Sequence, residues 1–255
     1  MTPRHKHTDA EAKLHPVTER LSMKAIDEFA ELLRLLFTPV TALGPITSEK
    51  GRFTQGSKPP RSKFWPEGSL FHFIDMGMRQ GRKASPFERF PNLLCDDGGV
   101  ELADFIGWDC VDPRVAFVHT KCGWQPRVSA STLQSVCSQV IKNLAYLRYG
   151  LPKLPGWRVR WEHPWSLRGH ELARLRAGTA GPAQARADLL SLLSSPTTRK
   201  EAWIVLGGTL PLSQLGEEVA SGAPGPSVVQ AMHLIIQTLR ACAELQVGLR
   251  IFCPH

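Results

Sequence analysis

The sequence contains no run of about 20 uninterrupted apolar residues, the length that a membrane-spanning helix needs. The chain begins with the polar segment MTPRHKHTDAEAK, which lacks the apolar core of a secretory signal. A GxxxxGK[ST] phosphate-binding loop, a GxSxG nucleophile elbow and an HExxH zinc motif are also missing. These absences argue against a membrane partner, a P-loop ATPase, an α/β-hydrolase and an HExxH metalloprotease.

Cysteines are few and scattered. The six cysteines include no CxxC pair, and several lie within apolar strand or helix patterns. Paired cysteines mark structural zinc sites, and disulfide frameworks belong mainly to small secreted domains. We therefore expect reduced, mostly buried thiols in a cytoplasmic protein, with a structural zinc site or a disulfide framework as the alternatives.

Basic residues outnumber acidic ones, with 31 Lys and Arg against 23 Asp and Glu, a net charge of +8 and a pI ≈ 9.4. This balance favours polyanionic partners. Positive charge is concentrated between residues 50 and 89, where aromatic residues lie among the first cations. Such a segment is suited to follow a phosphate backbone and to stack on bases, although a solvated basic loop is the alternative. The residues expected to bind nucleic acid are Lys58, Arg61, Lys63, Arg82 and Lys83.

Hydrophobic periodicity divides the chain into the helices and strands of an α/β protein. Helical spacing is found at 18–37, 69–78, 129–150 and 228–245. Strand patterns are found at 92–99, 100–110, 114–122, 201–208 and 248–253. Three antiparallel strands followed by a crossover helix and a further strand predict a mixed central sheet with helices on both faces.

Composition suggests two parts of unequal size. Residues 1–68 contain a polar tail, an extra N-terminal helix and an exposed basic linker rich in Pro, Gly, Ser and Lys. Residues 69–255 form the predicted α/β domain. Within this domain, residues from about 151 to 200 combine a Trp/Arg-rich stretch with Ala/Leu-rich pieces, which predicts a helical insertion.

A carboxylate and a lysine are predicted to meet at the end of two neighbouring strands. Because side chains alternate along a strand, Asp104 interrupts an otherwise apolar face, while His119 and Lys121 end one face of the next strand. In a hairpin of ordinary register, Asp104 lies opposite or diagonal to these two residues. A buried carboxylate and a buried lysine are costly unless they are paired or hold a metal. The pattern therefore predicts either a metal-dependent hydrolytic site or a plain ion pair.

This arrangement resembles the PD-(D/E)XK nuclease superfamily. The matching residues are Asp104 in ELADFI, Lys121 in VAFVHTK and Gln139 in SVCSQVIKNLAYL, the last similar to the helix glutamine of recombination nucleases. Over about residues 69–253 the pattern is also similar to a nuclease-like domain of helicase-type proteins in bacterial defence islands. The resemblance implies a restriction-endonuclease-like fold and phosphodiester hydrolysis in DNA, or RNA, in a bacterial or phage defence or DNA-processing system. It also implies a protein partner such as a helicase or ATPase subunit.

The resemblance also implies roles for individual residues. The superfamily holds one or two Mg²⁺ ions with acidic side chains, and the metal polarises the scissile phosphate and activates water. Carried over by position, Asp104 is the central ligand of Mg²⁺ or Mn²⁺, Lys121 is the catalytic cation, and Gln139 faces the site. Asp75 corresponds to the acid of the first helix. Its possible substitutes are Glu67 and Glu88.

His119 departs from the family pattern because it stands where the superfamily has Asp or Glu. Imidazole suits Mn²⁺ better than Mg²⁺, so His119 as a metal ligand implies a preference for Mn²⁺. Alternatively, the missing carboxylate comes from Asp96, Asp97 or Glu101, or the protein is a catalytically degenerate subunit that binds nucleic acid or a partner without cutting. A structural histidine, a DDGG segment that only forms a hairpin turn, and an adaptor without affinity for nucleic acid also stay open.

Overall fold

A computed structural model describes residues 23–52, 64–80, 85–99, 101–150, 157–167, 170–178 and 181–255. Helices and strands alternate along this part of the chain. The helices are α1 (Met23–Leu36), α2 (Leu70–Gln80), α3 (Ala130–Tyr149), α4 (Trp157–Glu162), α5 (Pro182–Ser194), α6 (Leu212–Ala220) and α7 (Pro226–Glu244), with a 3-10 turn at Thr41–Leu43. The strands are β1 (Phe37–Pro39), β2 (Asn92–Cys95), β3 (Phe105–Asp109), β4 (Arg114–Cys122), β5 (Trp165–Leu167), β6 (His170–Leu172), β7 (Leu175–Ala177), β8 (Arg199–Gly207) and β9 (Gly248–Cys253).

Seven of these strands form a mixed central sheet in the order β1-β9-β8-β4-β3-β2-β7. Consecutive strands β2, β3 and β4 pair antiparallel, whereas β8 lies parallel to β4 and β9 lies parallel to β8. Parallel neighbours need a long crossover connection, and α3 lies on the chain between β4 and β8. The predicted α/β class and mixed sheet are therefore confirmed.

The sheet separates two hydrophobic clusters, because successive side chains of a strand point to opposite faces. On one face, Ile106 and Phe117 pack with residues of α3, α5 and α7. On the other face, Phe105 and Val118 pack with residues of α2 and with Trp203 of β8. Helices therefore cover both faces, and the site described below lies at an edge between these two layers.

The helix that follows β4 begins where its sequence predicts. The Ser129 hydroxyl accepts a hydrogen bond from the backbone N–H of Thr132, which satisfies one of the free donors of the first turn. Gly150, with φ of 87°, ends the helix. The side chains that α3 turns toward the sheet include Leu133, Val136 and Val140, the apolar stripe seen in the sequence.

The strand predicted at 100–110 is shorter in the structure, where β3 begins at Phe105. Before it, Leu102 and Ala103 are both buried, so the alternation predicted for this segment does not hold there. The reason is a local turn, in which the Leu102 N–H donates to the Asp96 side chain and the Asp96 N–H donates to the Asp104 carbonyl. Asp104 therefore precedes the strand instead of standing within it.

The insertion predicted to be helical contains three short strands as well as helices. Between α4 and α5 the chain forms β5 and β6, which pair with each other, and β7, which pairs with β2 and extends the central sheet. Each of these strands has three residues. Three residues are too few to show a period of two, and β7 depends on hydrogen bonds to a distant part of the chain.

The segment predicted as an exposed linker contributes to the same fold. Strand β1 pairs with β9 at one edge of the sheet. Further along, the N–H groups of Leu70 and Phe71 donate to the carbonyls of Ser48 and Glu49, so residues 48–49 satisfy free donors in the first turn of α2. This contact fixes Glu49 and Lys50 beside the sheet.

None of the helices in the described part of the chain combines the length and the apolar character that crossing a bilayer requires. All six cysteines are free thiols, as the sequence predicts. Four of them are buried, one is partly exposed and Cys110 is exposed.

Candidate functional site

Chain order brings four short segments to one edge of the central sheet. Asp97 follows β2, Asp104 precedes β3, and Lys121 lies near the end of β4, which runs antiparallel to β3. The segment before α2 adds Glu49 and Lys50 to the same edge. We call these five residues the edge cluster, and its geometry decides what the site is able to do.

Asp104 is the most deeply buried acid of the edge cluster and is only 8% exposed. Its Oδ2 accepts hydrogen bonds from the Thr120 backbone N–H at 2.7 Å and from the Thr120 hydroxyl at 3.0 Å. Burial, followed by repulsion from Asp97, raises the pKa of Asp104 to about 8 although both hydrogen bonds lower it. In the absence of a bound cation, Asp104 therefore carries a proton over most of the neutral pH range.

Lys50 lies at the centre of the edge cluster. Its Nζ is 2.7 Å from Oδ2 of Asp97. Burial acts to lower the pKa of Lys50, but the hydrogen bond to Asp97 and the charges of Asp97, Asp104 and Glu49 outweigh burial, so the pKa is raised. Three carboxylates from separate segments thus surround a single ammonium group.

Lys121 pairs with Glu49 and not with Asp104. The Lys121 Nζ lies 3.0 Å from Oε1 of Glu49, and about a third of each side chain is exposed. Both residues line a cleft of ≈ 520 Å³ that opens at this edge of the sheet. The residues that line this cleft are Thr47, Ser48, Glu49, Lys50, Gly51, Arg52, Lys121, Cys122 and Trp124.

The insertion holds Asp97 in place. Its Oδ2 accepts a hydrogen bond from the Trp165 indole N–H at 2.7 Å, and its carbonyl accepts one from Arg174 at 2.8 Å. Arg174 also donates to the Cys95 carbonyl at the end of β2. The insertion therefore fixes the position and direction of the carboxylate that meets Lys50.

The neighbouring Asp96 has a structural role. It is fully buried, and its Oδ1 accepts hydrogen bonds from Arg160 and from the Trp161 indole N–H. Its Oδ2 accepts one from the Leu102 N–H. Glu101 is engaged as well, because its carboxylate accepts the Gly98 N–H at 2.9 Å. Of the three alternative acids named from the sequence, Asp97 is the one that meets Lys50.

His119 lies away from the Asp104 carboxylate. It alternates with Thr120 on β4, so its side chain points to the opposite face of the sheet from the threonine that binds Asp104. Burial, with a smaller contribution from the positive charge of Lys142 on α3, lowers the pKa of His119 to about 3. The ring is therefore neutral at physiological pH and belongs to the layer between β4 and α3.

Asp75 is engaged in a separate ion pair. It is buried on α2, and its Oδ2 accepts hydrogen bonds from Arg176 Nε at 3.0 Å and Nη2 at 2.6 Å. Arg79, one helical turn later, approaches the same oxygen at 3.6 Å. These contacts tie α2 to β7 at the sheet edge and occupy the oxygen that the sequence assigned to a metal.

The remaining predicted residues lie at different places. Gln139 is partly exposed on α3, and its side-chain oxygen is buried without a hydrogen-bond partner within the described residues. Glu67 is exposed, and Glu88 contacts three arginines described below. The residues expected to bind nucleic acid lie outside the residues that the structure describes, namely Lys58, Arg61, Lys63, Arg82 and Lys83.

Sequence reasoning missed Glu49 and Lys50 as site residues. Both fall in the segment interpreted as an exposed connection, where Lys50 counted only as one of several basic residues. A residue pair of opposite charge next to Gly51 carries no local sign of its long-range partners. The one usable signal was the DDGG turn, which did identify Asp97 as an alternative acid.

Searches of family models, of curated proteins and of solved structures found no match to this chain. Its function must therefore be argued from the geometry of the edge cluster and of the cleft beside it.

Proposed function

We propose that the protein is a metal-dependent nuclease that hydrolyses phosphodiester bonds in DNA. The observation that carries the proposal is the edge cluster, in which Glu49, Asp97 and Asp104 surround Lys50, and Lys121 opens onto a cleft. The succession of helix α2, antiparallel strands β2, β3 and β4, crossover helix α3 and parallel strand β8 supports the restriction-endonuclease-like arrangement that the sequence resembles.

The chemistry of the donor atoms fits a hard divalent cation. Within the described residues no three His, Cys, Asp or Glu side chains are grouped to hold a metal. Mg²⁺, however, is usually held by one or two carboxylates together with water and substrate phosphate. Asp97 and Asp104 would be those carboxylates, and the ion would replace the ammonium of Lys50 beside them. A bound cation supplies polarisation of the phosphate and a lower pKa for the attacking water.

The residues of the chain divide the remaining tasks. Asp104 must lose its proton to act as a ligand, and Thr120 keeps its carboxylate oriented through two hydrogen bonds. Lys121 lies at the mouth of the cleft, where its ammonium is suited to stabilise negative charge that develops on phosphate oxygens. Glu49 holds Lys121 there when no substrate is bound.

The setting of this activity is a bacterial or phage defence or DNA-processing system. A net charge of +8 supports a polyanionic substrate. The basic segment predicted to bind nucleic acid continues in sequence directly from Arg52 at the cleft. Because the sequence has no P-loop, a helicase or ATPase activity would come from a partner subunit.

The test is incubation of the purified chain with plasmid DNA, linear DNA or RNA in Mg²⁺ or Mn²⁺. We expect cleavage of DNA by the wild type, and loss of cleavage by at least about 100-fold in Lys121→Ala. Lys142→Ala is the matched control, since it removes an exposed lysine outside the cleft. Equal activity of the wild type and Lys121→Ala in both metals would contradict the catalytic assignment.

A second candidate is a catalytically degenerate subunit that binds nucleic acid without cutting it. The observation that favours it is that His119, at the position of the family's second acid, faces α3, while Lys50 already neutralises the carboxylates. This candidate predicts DNA binding that EDTA does not change and that weakens linearly in log–log form as salt rises. Cleavage of any substrate that depends on Asp104 would exclude it.

A further inference from the structure

Trp124 is 92% exposed, whereas the other tryptophans whose burial is described are buried. A single exposed apolar side chain is ordinary on a protein surface. Trp124, however, lines the cleft that contains Glu49, Lys50, Arg52 and Lys121. An exposed indole next to three cationic side chains is a combination that a solvated loop does not require.

The backbone presents Trp124 in a fixed position. The preceding residue, Gly123, donates its N–H to the Gly207 carbonyl at 2.9 Å. A Cβ at Gly123 would lie 2.5 Å from the Cβ of Thr209, so the two loops are in close contact. On the other side, the Arg127 carbonyl accepts hydrogen bonds from Leu210 and Thr209. The indole is therefore held at the rim of the cleft by anchors on both sides.

The cations at the cleft differ in how their charge is used. Lys50 and Lys121 have carboxylate partners. Arg52 is exposed and forms no ion pair with any residue in the part of the chain that the structure describes. A phosphate at the cleft would therefore meet Arg52 without first breaking a salt bridge.

We infer that this cleft binds single-stranded nucleic acid, with one base stacked on Trp124 and the adjoining phosphates against Arg52 and Lys121. The inference rests on the proposed function and adds the form of the substrate. An indole face is available to an unpaired base, whereas the bases of a duplex already stack on each other. The charged lining of the cleft suits a phosphate backbone and does not suit an apolar protein segment.

The experiment measures binding apart from cleavage. A fluorescein-labelled oligothymidylate, the duplex of the same length and a strand of abasic sites are titrated with the full chain in EDTA, and anisotropy gives each Kd. Base stacking on an aromatic side chain is worth enough for Trp124→Ala to weaken binding of the oligothymidylate roughly 5- to 150-fold. Trp124→Phe keeps an aromatic ring and recovers most of the affinity. Val111→Ala, which shortens another exposed apolar side chain, leaves the Kd unchanged.

The abasic strand separates stacking from charge. It has phosphates but no bases, so Trp124→Ala leaves its Kd unchanged, whereas Arg52→Gln weakens binding of both single strands. Equal Kd values of the wild type and Trp124→Ala for the oligothymidylate would overturn the inference. So would self-association of the chain that depends on Trp124 in sedimentation, because the indole would then be a protein contact.

Failure of the nuclease proposal gives a different result. Binding that depends on Trp124, without cleavage in Mg²⁺ or Mn²⁺, would overturn the hydrolytic activity and leave this binding site standing. Cleavage of a single-stranded substrate that Trp124→Ala leaves unchanged would overturn the stacking and leave the hydrolytic activity standing.

Discussion

The two ends of strand β4 use the same types of charged residue in opposite proportions. At its C-terminal end, Glu49, Asp97 and Asp104 surround Lys50. Near its N-terminal end, a single carboxylate, that of Glu88, contacts Arg114, Arg199 and Arg250.

The two ends also differ in solvation. Asp104 is buried, and its pKa is raised to about 8. Glu88 is 39% exposed, and Arg199 is 51% exposed. Ion pairs that water surrounds contribute little to stability, whereas a buried excess of like charge costs free energy unless a proton or a cation relieves it. Perturbed groups of that kind cluster at functional sites. This contrast is why we assign chemistry to one end of β4 and a structural role to the other.

The first prediction concerns Asp104→Asn and has the largest expected effect. The amide has the same shape, and its oxygen is able to accept both hydrogen bonds from Thr120, but it binds divalent cations poorly. We expect loss of DNA cleavage by at least about 100-fold in k_cat, and a Tm equal to or above that of the wild type. Initial rates in Mg²⁺ and Mn²⁺ and thermal unfolding provide the two measurements.

Glu88→Gln is the matched control for that substitution, since it also replaces a carboxylate with an amide. Its cleavage rate is expected to equal that of the wild type. If Asp104→Asn cleaves DNA at the wild-type rate, or if both substitutions reduce cleavage equally, the difference in role between the two ends of β4 is disproved.

The second prediction separates Asp75 from the edge cluster. Because Asp75 and Arg176 are both buried and hydrogen-bonded to each other, Asp75→Ala leaves an uncompensated buried guanidinium. Breaking a buried pair in this way costs about 3–5 kcal/mol, which chemical denaturation measures. The double variant Asp75→Ala with Arg176→Met is expected to regain much of that loss. A stable Asp75→Ala protein with weakened metal binding would instead return Asp75 to the metal site that the sequence suggested.

The sequence was informative where structure depends on neighbours along the chain. The apolar and β-branched residues of 114–122 predicted β4 to within a residue, and the serine before α3 predicted its start. The class of sheet followed from the order of these elements. Local pattern was sufficient here because strand, cap and crossover each have a signal within a few residues.

The edge cluster depends instead on contacts between distant segments. Asp104 and Lys121 were correctly expected near the ends of neighbouring strands, but each has a different partner from the predicted one. Lys121 pairs with Glu49 because residues 48–49 meet the first turn of α2, and no pattern around Glu49 indicates this. Strand alternation also failed at Leu102 and Ala103, where a turn buries both side chains.

The third prediction uses the proton on Asp104. The folded-state pKa is raised from 3.8 to about 8, so the site must release a proton before this carboxylate binds a cation. Affinity for Mn²⁺ should therefore rise by about tenfold per pH unit below pH 8 and level off above it. Calorimetry in two buffers of different ionisation enthalpy measures both the Kd and the proton release. An affinity that is constant from about pH 6 to pH 8 would contradict the assignment of Asp104 as a ligand.

The same shift has an opposite consequence for the protein without metal. An acid whose pKa is raised on folding stabilises the fold below its unfolded pKa of 3.8. That contribution is lost as pH rises toward about 8. In Asp104→Asn this part of the pH dependence is absent, so the difference in unfolding free energy between variant and wild type should grow between these two pH values.

The fourth prediction has the smallest effect and concerns the arginines around Glu88. The Arg250 guanidinium lies over the rings of Trp203 and Phe252 at 5.1 and 5.2 Å, and Arg114 lies over Phe90 at 4.5 Å. These stacking contacts hold the arginines in place without Glu88. Because the ion pairs are partly exposed, Glu88→Gln should cost about 1 kcal/mol or less at low salt, and less still at 1 M salt.

Denaturant unfolding at low and high salt measures this cost. A loss that stays above about 3 kcal/mol at both salt concentrations would indicate that Glu88 is as tightly coupled to the fold as a buried pair. In that case the two ends of β4 would differ in the sign of their excess charge but not in the degree to which water screens it. Solvation would then no longer distinguish the structural end from the chemical one.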